Sequence, residues 1–259
     1  MPGGSGLVLS VVSHGQRALL LGLLDDLQRH VKTAFRLVIT ENIPEEPDFP
    51  VEKYAFSIDV IRNRQAKGFG ANHNTALGLA GSGIFCVLNP DIRLHSDPFP
   101  QLRMMISAPA IGVVAPVVTD PDLSAEDHAR NFPSIFTLVA KMFGHRPCTA
   151  SPAEQSVYFP DWVAGMFMVF RAETLRSVGG FDERYFLYYE DVDLCARLRD
   201  KCLEVAVCTQ VSVIHSARRE SRKNLRFTSW HLRSAFRFLA SRPLLALGLR
   251  TRSRACLKP

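Results

Sequence analysis

No stretch of this sequence is both long and apolar enough to span a bilayer. The apolar interior run Met104 to Thr119 has 16 residues and carries Pro109 and Pro116, whereas a spanning helix needs ~20 apolar residues. A signal-peptide core is also lacking, because no Lys or Arg precedes the brief apolar run Leu7 to Val12, and a cytoplasmic chain is expected. The cysteines Cys86, Cys148, Cys195, Cys202, Cys208 and Cys256 form no CxxC pair. That removes a zinc cluster or a disulfide framework and leaves reduced thiols as the expectation. Internal repeats and low-complexity linkers are absent too. What is present, 259 residues that are 47% hydrophobic and 22% charged, is enough for one large core or two small ones, and excludes disorder, collagen and a stapled miniprotein.

The net charge of +6 is unevenly spread. Ala217 to Pro259 holds twelve Lys or Arg against the single acid Glu220, a local charge of +11, while the preceding residues carry −5. Basicity is therefore a property of the tail. It does not indicate a nucleic-acid-binding fold; it suits an anionic membrane surface or another anionic partner.

Apolar spacing predicts a strand over Leu7 to Val12 and a helix from Gln16 onward, with Leu19, Leu20, Leu23, Leu24, Leu27 and Val31 on one face. Strands follow at Phe35 to Thr40, Tyr54 to Ile61 and Ile84 to Leu88, with a helix over Asn72 to Ala80 between the last two. Further strands are expected at Ile111 to Val118, Trp162 to Phe170 and Glu204 to His215, with helices at Ala172 to Val178 and Glu190 to Lys201. Asp120 to Ser156 mixes Pro, Gly and charge around a small apolar patch and reads as an excursion over the site. The alternation indicates an α/β fold, a mostly parallel central sheet flanked by helices, whose ligands gather at the carboxyl ends of strands. Residues 1–216 are expected to form one domain and 217–259 a basic, amphipathic helical tail.

Four groups of residues could carry chemistry. Asn89-Pro90-Asp91 closes an apolar strand and is either a turn or a site where Asp91 offers a hard cation an anionic oxygen. Lys67 to Asn74, with Gly68 and Gly70 before a helix, either cradles a phosphate or sugar or simply gives the helix a flexible entry. Asp182 to Asp193 holds five carboxylates among Phe181, Tyr185, Phe186, Tyr188 and Tyr189. Asp193 has a ready partner in Arg197 at i+4 and Glu190 a helix N-terminus, which leaves Asp191 as a candidate general base. His215 ends a valine-rich strand and becomes a metal ligand if Asp91 lies beside it.

Taken in this order, the pieces resemble the family 2 glycosyltransferases, in particular the rhamnosyltransferase-like branch that builds bacterial surface polysaccharides. The match spans most of residues 7–216, and its most specific stretches are DWVAGMFMVFR at 161–171 and VGGFDERYFLYYEDVDLCAR at 178–197. The resemblance implies the GT-A fold, with a nucleotide-binding N-terminal half and an acceptor-binding C-terminal half. It implies an inverting transfer from a nucleotide-diphospho-sugar, dTDP-rhamnose or a UDP-hexose, to a glycan or lipid-linked acceptor. Asn89-Pro-Asp91 is similar to the family's metal-and-diphosphate motif, usually Asp-x-Asp, so Asp91 and His215 would hold Mg²⁺ or Mn²⁺ and Asn89 would contact the donor sugar or a metal-bound water. Glu190-Asp191 matches the catalytic acidic pair, with Asp191 similar to the base. Thr40-Glu41-Asn42 stands where relatives show Asp-Asn followed by Ser, which makes Glu41 the candidate contact to the nucleobase. Ser10 to Ser13 would line the same pocket, and Lys67, Gly68 and Asn72 would lie under the nucleoside and sugar. The tail would hold the protein peripherally on the inner face of the cytoplasmic membrane.

Two rivals remain at this stage. A sugar-1-phosphate nucleotidyltransferase would need a glycine-rich Arg-Lys signature near the N-terminus, which is absent. A homologue that binds sugar without turnover is left open by Asn89 and Glu41.

Overall fold

The computed structural model describes residues 6–47, 49–136, 155–216 and 225–246. Strand β1 (Leu7–Ser13) is flanked on one side by β2 (Phe35–Glu41) and β3 (Ser57–Arg62) and on the other by β4 (Ile84–Leu88), all parallel. The connections of β1, β2 and β4 run through α1 (Arg17–His30) and α2 (Phe69–Leu77), as short parallel crossovers require. Two-residue β5 (Ile92–Arg93), α3 (Phe99–Ile106) and β6 (Ile111–Thr119) follow. A two-stranded sheet pairs β7 (Ala129–Arg130) with β9 (Trp162–Val163), and β8 (Val157–Tyr158) lies between them in the chain. Next come β10 (Phe167–Arg171), α4 (Ala172–Ser177), α5 (Glu190–Asp200) and β11 (Glu204–His215), and after them α6 (Leu225–Ser241) and α7 (Pro243–Ala246). The main sheet runs β3-β2-β1-β4-β10-β6-β11-β5, with β8 pairing β11.

Strand β10 is antiparallel to both β4 and β6, whereas β6 and β11 are parallel to each other. It is wedged between strands that share one direction, so the start of β10 meets the carboxyl ends of β1, β2, β4, β6 and β11 on a single edge. Both faces are covered, which is why the central strands are almost continuously apolar. Leu20, Leu23, Leu24 and Leu27 of α1 and Phe99, Leu102 and Ile106 of α3 share one cluster with Leu7, Leu9 and Val11 of β1, Val114 of β6 and Phe167 of β10. Ala76 and Leu77 of α2, Leu175 of α4, and Leu194 and Leu198 of α5 pack on the opposite face with Val8, Val87 and Phe170. The bidentate ion pair of Asp26 with Arg93 (2.6 and 2.9 Å), together with Leu94 N donating to the same carboxylate, ties β5 to α1 just past Asp91.

Several expectations are corrected. The single strand anticipated over Trp162 to Phe170 is two, β9 and β10, because residues 164–166 turn so that Gly165 N can donate to a side chain of α5. Helix α2 starts at Phe69, three residues before Asn72. Cys202 is disulfide-bonded, against the expectation of reduced thiols, while Cys86, Cys195 and Cys208 are free and buried. Within the tail, Ala235 and Phe238 of α6 pack with Tyr185, Tyr189 and Val192 in a third apolar cluster. The apolar patch expected at Ile135 to Val139 falls partly outside the described residues; Ile135 and Phe136 are exposed. Among the described residues no helix is long and apolar enough to cross a membrane.

Candidate active site

The shared edge collects the acidic residues. Asn89, the first residue past β4, donates its N–H to Met166 O at 2.9 Å. One residue earlier Gly165 N donates to Asp191 Oδ2 at 3.0 Å. Two hydrogen bonds and a few covalent links therefore join the Asn89-Pro90-Asp91 turn to Asp191, which lie a hundred positions apart in sequence. On the other flank Ser216 N donates to Asp91 O at 3.0 Å, and His215 Nε2 stands 3.2 Å from Asp91 Oδ2. Nδ1 of the same ring donates to Glu126 Oε2 at 2.7 Å. Burial works against charging the His215 ring, yet the two carboxylates outweigh it and hold its pKa above the ordinary value.

Asp191 occupies the first turn of α5, where the helix N-terminus favours negative charge. Its Oδ1 accepts from Val192 N at 2.8 Å, so each carboxylate oxygen holds one backbone N–H. Burial pushes this carboxyl above its ordinary range, and those two hydrogen bonds pull it back down. Neighbouring Glu190 is buried with no partner for Oε2. Burial, reinforced by the charge on Asp191, raises its pKa well above the usual carboxylate value. Of the pair, Glu190 is pushed further toward its neutral form, because Asp191 alone holds backbone N–H groups on both oxygens. Asp193 is occupied by Arg197 at 2.7 Å, as i,i+4 spacing predicts.

The acidic pair is delivered by an unusual backbone. Tyr188 and Tyr189 are consecutive left-handed residues, with φ of 69° and 67°, each costing on the order of 1–3 kcal/mol unless its surroundings hold it. Helix α6 supplies much of that hold. Ser234 Oγ donates to Leu187 O at 2.9 Å, and Tyr189 lies 5.8 Å from Phe238 and 5.4 Å from His231 between ring centroids. Trp230 meets Phe186 at 4.7 Å.

At the β2 end, Glu41 is buried. Its Oε2 pairs with Arg62 at 3.0 Å, while Oε1 has no partner. Glu41, Arg62 and Asn63, with Pro44, Glu45 and Glu46, line a pocket of about 110 Å³, far smaller than a drug-sized site and suited to a single ring. Asn42, which the sequence reading left without a role, is the hub beneath it. Its Oδ1 accepts from Lys67 N and Asn63 Nδ2 (2.8 and 2.9 Å), and its Nδ2 donates to Lys67 O and His14 Nδ1 (2.9 and 3.1 Å). Ser13 O accepts from Asn42 N at 2.8 Å while its buried hydroxyl accepts from Gln16 N at 3.3 Å, and Lys67 has an exposed side chain.

Three expected donor contacts are used within the protein instead. Ser10 is fully buried, its hydroxyl bonded to His73 Nδ1 at 2.8 Å beneath α2; the alternation of a strand puts it on the opposite face from Ser13. Burial of that His73 ring pushes its pKa down to about 3. Asn72 Oδ1 accepts from Asn63 at 2.7 Å, inside the scaffold. Gly68 faces protein, not ligand: a Cβ there would lie 2.8 Å from Phe186 O and 2.9 Å from Phe186 Cα, and Phe69 N already donates to Phe186 O. Its Gly68→Ala variant is expected to lose about 1–3 kcal/mol to overpacking, read as a lower midpoint in thermal unfolding; an unchanged midpoint would contradict the close approach.

Whether a divalent cation suits the edge is decided by Asp91. Its Oδ1 is buried with no hydrogen-bond partner, an open anionic ligand of the hard oxygen type that Mg²⁺ and Mn²⁺ prefer. The 3.2 Å between Asp91 Oδ2 and His215 Nε2 is close to the ~3 Å between neighbouring corners of an octahedral shell with ligands near 2.1 Å. Among the described residues no three His, Cys, Asp or Glu side chains already surround one point, so the protein would fill only part of a cation's shell.

No family model matches the chain. It is 28% identical over 249 residues to the rhamnosyltransferase WbbL of Escherichia coli (strain K12), covering 91% of this chain and 93% of that protein. It is 32% identical over 170 residues to the N-acetylglucosaminyl-diphospho-decaprenol L-rhamnosyltransferase of Mycobacterium tuberculosis (strain CDC 1551 / Oshkosh), covering 60% of this chain and 54% of the relative. Among solved structures, GalNAc-T7 with UDP, GalNAc and Mn²⁺ superposes with a TM-score of 0.65 at 15% identity, over 97% of this chain and 53% of that one. The chain thus spans nearly all of the first relative and about half of the other two.

Proposed function

We propose, for a chain that is a rhamnosyltransferase-like family 2 glycosyltransferase of GT-A fold, that it transfers a sugar from a nucleotide-diphospho-sugar to a hydroxyl of a glycan or lipid-linked acceptor in bacterial surface polysaccharide synthesis. The observation that carries this reading is the meeting of Asp91 and Asp191 on one sheet edge through Asn89 N–Met166 O and Gly165 N–Asp191 Oδ2. Asn89 and Glu41, the departures that left a binding-only homologue open, do not disturb that meeting. The transferase unit is assigned to 1–216. The names of the two bacterial relatives favour dTDP-rhamnose as the donor, with UDP-hexoses behind it.

In this reading Asp191 takes the proton of the acceptor hydroxyl as its oxygen attacks the anomeric carbon, and the nucleoside diphosphate leaves with inversion. General-base assistance of this kind supplies ~10²- to 10⁴-fold in rate. Burial of Glu190, which favours its neutral form, limits the negative charge beside the base. Asp91 and His215 would hold Mg²⁺ or Mn²⁺, which when bound neutralises charge developing on the leaving diphosphate. Glu41, with its free Oε1, accepts from an N–H of the nucleobase while Arg62 faces it, Ser13 and Lys67 border the nucleoside, and Asn89 contacts the donor sugar. Release of nucleoside diphosphate from dTDP-rhamnose or a UDP-hexose, dependent on acceptor and on added Mg²⁺ or Mn²⁺, tests the assignment; binding of donors with no turnover would reject it.

The tail, residues 217–259, is read as a peripheral anchor on the inner face of the cytoplasmic membrane. Helix α6 contains no acid. Opposite its packed face it exposes Leu232 (65%) and Phe236 (75%), beside exposed Arg226 and Arg233. Apolar side chains flanked by cations suit an anionic lipid surface, each cation contributing ~1 kcal/mol near it. Flotation with phosphatidylglycerol vesicles should carry the protein upward, and a Leu232→Ser, Phe236→Ser variant should stay behind with its activity on a soluble acceptor intact. Equal flotation of both would dismiss the anchor.

A further inference from the structure

Glu126 lies in the stretch that the sequence offered only as an excursion, yet it reaches the acidic edge. We propose that Glu126 is a positioning residue for the divalent cation: it holds the Nδ1 proton of His215 and so presents Nε2 beside Asp91 Oδ2. The proposal rests on the reading of Asp91 and His215 as the cation's ligands, and adds how the histidine is prepared.

A histidine ligates through whichever nitrogen is unprotonated, and that choice is set by the hydrogen bond the other nitrogen makes. An ionised carboxylate can only accept. With Glu126 Oε2 at 2.7 Å, the proton belongs on Nδ1 and the lone pair falls to Nε2. A lone pair facing Asp91 Oδ2 at 3.2 Å is favourable only with a positive charge between them, a proton in the metal-free ring or a divalent cation when one binds. Asp91 Oδ1, buried and unpartnered, points the same way. Glu126 is fixed independently of any ligand. Its N–H donates to Val118 O at 2.8 Å, and its carbonyl accepts from His128 N and His128 Nδ1 at 2.9 and 2.8 Å. The carboxylate is thus presented from a locked turn just past β6.

The test uses the full chain. Mn²⁺ is titrated calorimetrically, alone and again with UDP or dTDP present, into wild type, Glu126→Ala and Glu126→Gln. In parallel, ¹⁵N chemical shifts of the His215 ring are read in metal-free protein at a pH where the ring is neutral. Glu126→Ala should weaken Mn²⁺ by about 10- to 100-fold, the usual cost of losing such an outer partner, and shift the ring away from the Nδ1–H tautomer. Glu126→Gln, whose amide oxygen still accepts from Nδ1, should restore most of both. Unchanged Mn²⁺ affinity in Glu126→Ala, an Nε2–H tautomer in wild type, or a Glu126→Gln as impaired as Glu126→Ala would each overturn the proposal. A wild type that takes up no Mn²⁺ under any of these conditions would remove the ligand reading and the proposal with it.

Discussion

Asp191→Asn is expected to lower kcat by ~10²- to 10⁴-fold with little change in donor affinity. The substitution preserves volume and removes the charge that accepts the proton. It carries a small structural cost, because both carboxylate oxygens receive backbone N–H groups, from Gly165 and Val192, and an amide can satisfy only one of them. Comparing initial rates with donor binding measured by calorimetry separates the two effects. Unaltered turnover would remove Asp191 from the role of base. The pH profile adds a signature. Since burial raises the carboxyl above its ordinary value, the base is protonated and idle at low pH, and kcat should climb with pH through a midpoint higher than that of an exposed aspartate. Glu190→Gln should be far milder, for it replaces a carboxyl whose burial favours the neutral form with a neutral isostere.

Asp91→Ala should act on binding before chemistry. It deletes the unpartnered Oδ1 and the oxygen facing His215. The loss of Mn²⁺-dependent donor affinity should therefore be at least the ~100-fold that marks the upper end for an outer-shell partner. Donor binding measured without metal should fall much less. Calorimetric titration of UDP and dTDP, with and without Mn²⁺, reads both quantities. Equal losses in the two conditions would mean that Asp91 supports the fold of the edge and no cation. Its backbone role is modest by comparison, since Ser216 N bonds the Asp91 carbonyl, which alanine retains.

Much of this geometry was legible because it depends on local patterns. Apolar runs marked β1 and β4, a valine-rich stretch marked β11, and the helical repeat of leucines marked α1 within a residue or two. The Asn89 turn and the Glu190-Asp191 pair could be placed at a strand end and a helix start from spacing alone. Other features depend on contacts that no local pattern records. Glu126 meets His215 across 89 positions, from a segment without periodicity. Gly68 and Gly70 pointed to a cradle for a phosphate or sugar or to a flexible helix entry, whereas Phe186 and Phe181 fill the space beside them. The place of Ser10 is fixed by local pattern, since period-two alternation puts it on the opposite face of β1 from Ser13. The break between β9 and β10 is set by Gly165 turning toward Asp191, a tertiary demand that overrides an otherwise perfect apolar run.

The paired left-handed tyrosines give the cationic tail a mechanical meaning. A loop wound into that shape stores conformational energy and would relax if released, and its latch is Ser234 and Phe238 of α6. A chain cut after residue 216 would keep every strand of the sheet and both carboxylates, yet leave the base on an unlatched spring. On the reading proposed above, releasing this helix would loosen the loop that leads into Asp191, the residue proposed to collect the acceptor's proton.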